Sequence, residues 1–207
     1  MQTRCVVITG MGAVTPLGLT VEQTWSNLLQ GKSGVGPITT FDVSDLPSRI
    51  AAFVKGFNPE NYMDHKEARR LARFTQFAVA ATHMAIKDAS LDLSREDPTR
   101  LGLEIGSAVG AIDLIEDQSR VFQEQGVRRL NPTLIPSIIV NAASCQVAIS
   151  LGIKGPTNSP AAACATGVYA LGQALRSLQR GDADAIIAGG TESAMSPLPV
   201  ASFARLG

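Results

Sequence analysis

Neither sign of charge prevails in this chain of 207 residues, where 18 Lys+Arg balance 18 Asp+Glu, and aromatic residues are scarce at 5%. The charge balance argues against a global field for nucleic acid or a membrane surface, although local patches remain open. Cysteine is sparse as well. Cys5, Cys145 and Cys164 show no paired spacing and no C-x-x-C, which argues against a disulfide framework or a metal ribbon and suits a reducing compartment. No apolar run approaches the ~20 residues that a membrane span needs. The segment that begins Met-Gln-Thr-Arg lacks the apolar length and cleavage pattern of a secretory signal. A soluble cytoplasmic protein with no nucleic-acid or membrane partner and no metal is therefore expected. What is present is apolar material: 45% hydrophobic residues and a mean hydropathy of +0.14, enough for a large core. The length suits one α/β domain or most of one.

Apolar periodicity sets out the elements. Residues 5–8 read as a buried strand ending in the glycine turn Gly10-Met-Gly12. A helix follows over 21–29, with Val21, Trp25, Leu28 and Leu29 on one face. Residues 31–60, rich in Gly, Pro, Asp and Ser, read as irregular. A long helix is predicted over 64–89, burying Leu71, Phe74, Phe77, Ala78, Ala81 and Ala85. A second strand is predicted over 101–109, a helix over 112–125, a basic turn over 126–132 and an apolar helix over 136–151. Another strand is expected over 159–164 and one more over 183–190. Strands alternating with helices indicate a layered α/β fold.

The segment Asn158-Ser-Pro-Ala-Ala-Ala-Cys-Ala-Thr-Gly167 carries the chemistry. Residues 159–164 are small and uncharged, and from 165 onward Val168, Leu171, Leu175 and Leu178 recur at helical spacing. Cys164 thus falls at or just before the first turn of a helix. Unsatisfied N–H groups and the positive end of the macrodipole favour thiolate over thiol there, and can donate to an oxyanion. Ala163, Ala165 and Gly167 leave room for a substrate. The competing reading is that Cys164 is a small buried hydrophobe, as most free cysteines are.

Four segments together resemble the β-ketoacyl-acyl-carrier-protein synthases, nearest to the elongating type II form: Val7-Ile-Thr-Gly-Met-Gly-Ala-Val-Thr-Pro-Leu-Gly18, Ile135-Pro-Ser-Ile-Ile-Val-Asn141, Gly155-Pro with Ala163-Cys-Ala-Thr-Gly167, and Gly181-Asp-Ala-Asp-Ala-Ile-Ile-Ala-Gly-Gly-Thr-Glu192. The resemblance implies a thiolase-like fold, of which residues 1–207 would form the N-terminal half of a five-layer αβαβα sandwich, stopping short of its C-terminal part. The ending Ser202-Phe-Ala-Arg-Leu-Gly207, without a closing strand or polar tail, agrees with that expectation.

The resemblance further implies that Cys164 accepts an acyl group from acyl-carrier protein (ACP). The thioester would then be attacked by the carbanion from decarboxylated malonyl-ACP. Substrates would ride on the phosphopantetheine of the carrier, with no other cofactor, and the full-length enzyme would be a homodimer. The family's histidine pair, supporting lysine and second oxyanion donor belong to a C-terminal half, so little condensation is expected of this chain alone. His65, beside Asp64 and Lys66, reads as a solvated or capping residue, and His83 as an ordinary helix residue.

By the same resemblance Lys66, Arg69 and Arg70 match a carrier-docking helix, and Arg128 and Arg129 match a second basic contact. Val109 matches a residue lining the acyl pocket. Leu134 and Ile135 match positions reaching the partner's pocket, and Phe203 matches an aromatic near its mouth. Read as residues alone, the basic side chains fit a solvated helix face and the apolar ones fit plain core. Four other readings fare worse. A dinucleotide site needs a third glycine opening a helix, where this chain has Thr15 and Pro16. A chain-length-factor-like partner subunit would lack the cysteine. A polyketide ketosynthase would show Asp-Thr-Ala-Cys-Ser-Ser in place of Ala162-Ala-Cys-Ala-Thr-Gly167. Thiolases share the fold but would use acyl-CoA.

Overall fold

The computed structural model describes residues 4–206. Helix α1 (Val21–Leu29) starts where the Thr20 hydroxyl accepts from the Gln23 N–H at 3.2 Å. Residues 31–60 are largely irregular, as expected, apart from a two-residue antiparallel pair, β1 (Gly36–Pro37) with β2 (Ile50–Ala51).

The long helix expected over 64–89 is two helices, α2 (His65–Ala68) and α3 (Arg73–Asp88). Asp64 caps the first, accepting from the Glu67 N–H at 2.8 Å. The chain breaks because Ala72 turns extended, and the Gln76 amide then donates to the freed carbonyls of Ala68 and Leu71. Phe74 and Ala78 are buried on α3 as expected, together with Thr75, Val79, Ala80 and Thr82. Ala81 and Ala85 are half-buried because the backbone of Gly10 and Gly12 crosses over them. A Cβ on Gly12 would collide with the Ala81 carbonyl, so the glycines of that turn serve close packing on α3.

The central strand β3 (Leu101–Gly106) is buried along its whole length, and residues 107–109 leave it as a turn. Helix α4 (Ile112–Gln125) has the predicted bounds. The apolar helix expected over 136–151 is again two, α5 (Leu134–Ile138) and α6 (Ala142–Leu151), parted where Ile139 turns extended. Only Thr157–Asn158 forms a strand, β4, in the stretch before Cys164. Residues 159–164 make no continuous ladder and Ala161, Ala163 and Cys164 are exposed, so the buried strand expected there is absent. Helix α7 (Thr166–Arg180), strand β5 (Ala185–Gly190) and helix α8 (Pro197–Arg205) complete the order.

Three strands form one parallel sheet in the order β4-β3-β5, with Leu101 opposite Ala185 and Gly106 opposite Gly190. Residues 5–8 do not join it. Val7 and Ile8 are exposed and form no ladder among the described residues, although Arg4 lies 3.7 Å from Asp184 just before β5. A strand is held by its ladder bonds, and none are made here.

One face of the sheet carries the main core. Leu101, Leu103 and Ile105 pack with Phe74 and Val79 of α3 and Val147 of α6. Each such side chain contributes roughly 1.5–3 kcal/mol by leaving water. Helix α7 packs on β3 and β5 through small residues, burying Thr166, Ala170, Ala174 and Ser177. Its large apolar residues point the other way: Val168 is 76% exposed, Leu171 49% and Leu175 42%. The helical spacing of these residues holds, but they do not line the core.

Candidate active site

Glycines at the carboxyl ends of β3 and β5 let α7 come close. A Cβ on Gly106 would lie 2.5 Å from the Thr166 methyl, and one on Gly190 would lie 2.9 Å from the Gly167 Cα. The first turn of α7 therefore rests on sheet backbone, and the turn carrying Cys164 is seated at the sheet's carboxyl edge. Crevices at that edge of an open α/β sheet are where ligands bind.

Side chains lock that turn. The Thr166 hydroxyl donates to the Ala163 carbonyl at 2.7 Å and accepts from the Ala162 N–H at 2.9 Å. The Ala165 N–H donates to the Ala162 carbonyl at 3.0 Å, and the Thr166 N–H to the Ala163 carbonyl at 3.1 Å. Upstream, the Ser159 hydroxyl donates to the Ile105 carbonyl at 3.0 Å and meets the Ser144 hydroxyl at 2.5 Å. Ala163 itself has φ 48°, a left-handed conformation that costs a non-glycine residue on the order of 1–3 kcal/mol. The Thr166 hydroxyl and the turn's backbone bonds fix Ala163, and with it the place of the residue that follows. Cys164 is exposed there, which removes the competing reading of a buried hydrophobe. Cys5 and Cys145 are exposed too, so exposure alone does not single it out. What Cys164 has in addition is its place ahead of a helix, with α7 beginning two residues on; Cys145 lies inside the first turn of α6, and Cys5 is in no helix.

Val109 sits on the turn after β3, 44% exposed. The following Gly110 has φ 63° and lies so close to the Ile138 carbonyl that a Cβ would collide with it, and the Ala111 N–H donates to that carbonyl at 3.3 Å. Ile138 ends α5, the helix that begins at Leu134. The turn that carries Val109 thus meets the end of α5, the helix whose first residues are Leu134 and Ile135, with Ile135 68% exposed. Phe203 is exposed on α8. That helix packs on α4, where the Glu116 carboxylate accepts from the Leu198 N–H at 3.2 Å. A cleft of about 330 Å³ near that junction, lined by residues such as Phe41, Asp113 and Ser196, does not include Cys164. Burial holds the Asp113 carboxyl above the ordinary carboxylate range there.

Lys66, Arg69 and Arg70 are exposed on and just after α2, as are Arg128 and Arg129 on the 3-10 turn before α5. None of the five makes an ion pair among the described residues. Arg70 is tied to α5, where the Ser137 hydroxyl donates to its carbonyl at 3.2 Å, and Arg128 and Arg129 precede α5 in the chain. His65 is exposed with Nδ1 2.5 Å from Glu60 Oε1, and His83 is half-buried on α3. Glu192, Ser107 and Thr166 were not singled out from the sequence. Only the Thr lay near enough to Cys164 to give a local signal.

Residues 3–207 match the family described as the β-ketoacyl synthase N-terminal domain. The chain belongs to that family. The synthase domain is 44% identical over 204 residues to the 3-oxoacyl-[acyl-carrier-protein] synthase 2 of Synechocystis sp., covering 99% of this chain and 49% of that protein. It is 43% identical over 202 residues to the protein of the same name from Staphylococcus aureus strain COL, with 98% and 49% covered. The chain therefore spans about half the length of the curated relatives it matches. Among solved structures it superposes on the ishigamide ketosynthase/chain length factor with a TM-score of 0.91 at 28% identity, covering 100% of this chain and 51% of that one. A β-ketoacyl synthase from Burkholderia phymatum gives 0.84 at 28% identity, with 97% and 49% covered. These neighbours agree with the thiolase-like α/β architecture expected of the synthase domain.

Proposed function

We propose that this synthase domain supplies the acyl-accepting half of a condensing acyltransferase in fatty-acid biosynthesis, which elongates acyl-ACP with malonyl-ACP. The single observation that carries the reading is Cys164, exposed behind a strained residue at the start of α7. Its sulfur attacks the thioester carbonyl of acyl-ACP, the carbonyl becomes an oxyanion, and the carrier's thiol departs as the new thioester closes. The Cys164 N–H donates to that oxyanion. In the second half-reaction malonyl-ACP loses carbon dioxide and its carbanion attacks the Cys164 thioester. A carbon–carbon bond forms, the carbon–sulfur bond breaks and the thiolate is restored. Covalent capture splits the condensation into two thioester steps and frees the first carrier to leave.

Val109 lines the acyl pocket in this reading, Leu134 and Ile135 reach the pocket of the partner copy, and Phe203 stands near the pocket mouth. The exposed Lys66, Arg69, Arg70, Arg128 and Arg129, which make no ion pair among the described residues, dock the acidic carrier, for which complementary charge raises the rate of encounter. The reaction needs no cofactor beyond the carrier's phosphopantetheine. Neither His65, engaged with Glu60, nor His83, half-buried on α3, is assigned to decarboxylation. Condensation by this chain alone is therefore expected to be slight. By the family resemblance the working enzyme is a cytoplasmic homodimer.

Incubation with acyl-ACP followed by intact mass measurement tests the proposal. The wild type gains one acyl group and Cys164→Ser gains none. Equal labelling of the two proteins contradicts it. For docking, Lys66→Glu combined with Arg69→Glu weakens carrier binding at low salt, and the difference from wild type shrinks as salt rises. Unchanged affinity at low salt removes the basic residues from the account.

A further inference from the structure

Both oxygens of the Glu192 carboxylate, just beyond β5, reach across to the turn after β3. Ser107 Oγ donates to one oxygen at 3.1 Å and the Ala108 N–H donates to the other at 2.9 Å. Ser107 Oγ in turn accepts from the Gly110 N–H at 2.9 Å. Residues 107, 108 and 110 are thus tied, directly or through one hydroxyl, to a single side chain that lies 84 positions away from Ala108 in sequence. Val109, the residue between them, has no such tie of its own and stands exposed. Ser107 is 1% exposed, so its hydroxyl has little water to turn to if the carboxylate is removed. Behind the turn, Gly110 rests on the Ile138 carbonyl and cannot retreat. Hydrogen bonds to an ionised acceptor are stronger than neutral ones, which suits a group that must hold a turn at the edge of the molecule.

We propose that Glu192 is a positioning residue that fixes the 107–110 turn and, through it, sets how far Val109 limits the acyl chain. The inference rests on the reading that Cys164 carries the acyl group and that Val109 meets it. Glu192 touches neither substrate nor sulfur in this account. A carboxylate is needed because both groups facing it are donors. Glutamine offers one acceptor and turns its amide hydrogens toward the other donor, so Glu192→Gln keeps part of the hold and Glu192→Ala keeps none.

The test measures acyl transfer to Cys164 from short, medium and long acyl-ACP, by intact mass, on the full chain. Glu192→Ala is expected to shift the ratio of long to short acceptance by at least about fivefold, the equivalent of one of its two lost hydrogen bonds. Glu192→Gln and Ser107→Ala fall between it and the wild type. Val109→Ala shifts the ratio by itself, and adding Glu192→Ala to it produces no further shift. A uniform loss of rate at every chain length, or full additivity with Val109→Ala, overturns the proposal. Amide hydrogen exchange gives a second readout: protection at Ala108 and Gly110 falls in Glu192→Ala, and unchanged protection also overturns it. Should Glu192→Ala not fold, Glu192→Gln and Ser107→Ala carry both readouts. Absence of acyl transfer in the wild type would refute the proposed function instead, while the exchange measurement would still decide whether Glu192 holds the turn.

Discussion

The two faces of the sheet are covered in opposite ways. Toward α3 and α6 the large side chains point inward, and Phe74 and Leu103 are fully buried. On the α7 side the inward residues are Thr166, Ala170, Ala174 and Ser177, while Val168, Leu171 and Leu175 face out. The first face maximises apolar burial and so supports the fold. The second brings a helix close to glycine backbone at Gly106 and Gly190, and so fixes where its N-terminus, and with it Cys164, is placed. Small residues give proximity and large ones give stability, and this domain uses one on each side.

The comparison breaks most readily at Phe74. Phe74→Ala should cost about 3–5 kcal/mol in chemical denaturation, through lost burial and the cavity left behind. A loss under about 1 kcal/mol would show that the α3 face is not the main core. Asp113 offers a smaller, pH-dependent effect near the α4–α8 junction. Burial raises its folded pKa above the unfolded value, so the folded state favours the protonated form. The sign is therefore a penalty at neutral pH that begins to fade as pH falls through the folded pKa and is gone below the unfolded value. Asp113→Asn should raise the melting temperature at neutral pH and lose that advantage in acid. A lower melting temperature at neutral pH would contradict the assigned cause. Leu175→Glu, on the outward face of α7, should change stability least, within about 0.5 kcal/mol. A cost comparable to that of Phe74→Ala would mean that this face is covered in solution.

Much of this was legible in the sequence because it is local. The bounds of α4, the buried run of β3 and the helix after Cys164 all follow from apolar spacing. Periodicity assigns residues to a common face but does not say which way the face points, and on α7 Val168, Leu171 and Leu175 lie outward. The breaks after Ala68 and after Ile138 escaped notice because apolar residues continue through them. The bonds that settle them, from Gln76 to Ala68 and Leu71 and from Ala111 to Ile138, follow from the fold. Residues 5–8 have a strand's composition but form no ladder, which no window along the chain reveals. At the site, Cys164 was legible from its neighbours. Glu192 was not, because its two contacts on the 107–110 turn lie 84 and 85 positions away.

The central claim is that position, more than access, makes Cys164 the acyl acceptor, and the chain contains its own controls in Cys5 and Cys145, both of which are exposed. Incubation of the wild type with a limiting acyl thioester, followed by peptide mapping of the adduct, compares the three directly. The account predicts that the acyl group is found on the peptide carrying Cys164 and is nearly absent from the other two. Labelling spread evenly over the three cysteines, as exposure alone would give, would contradict it.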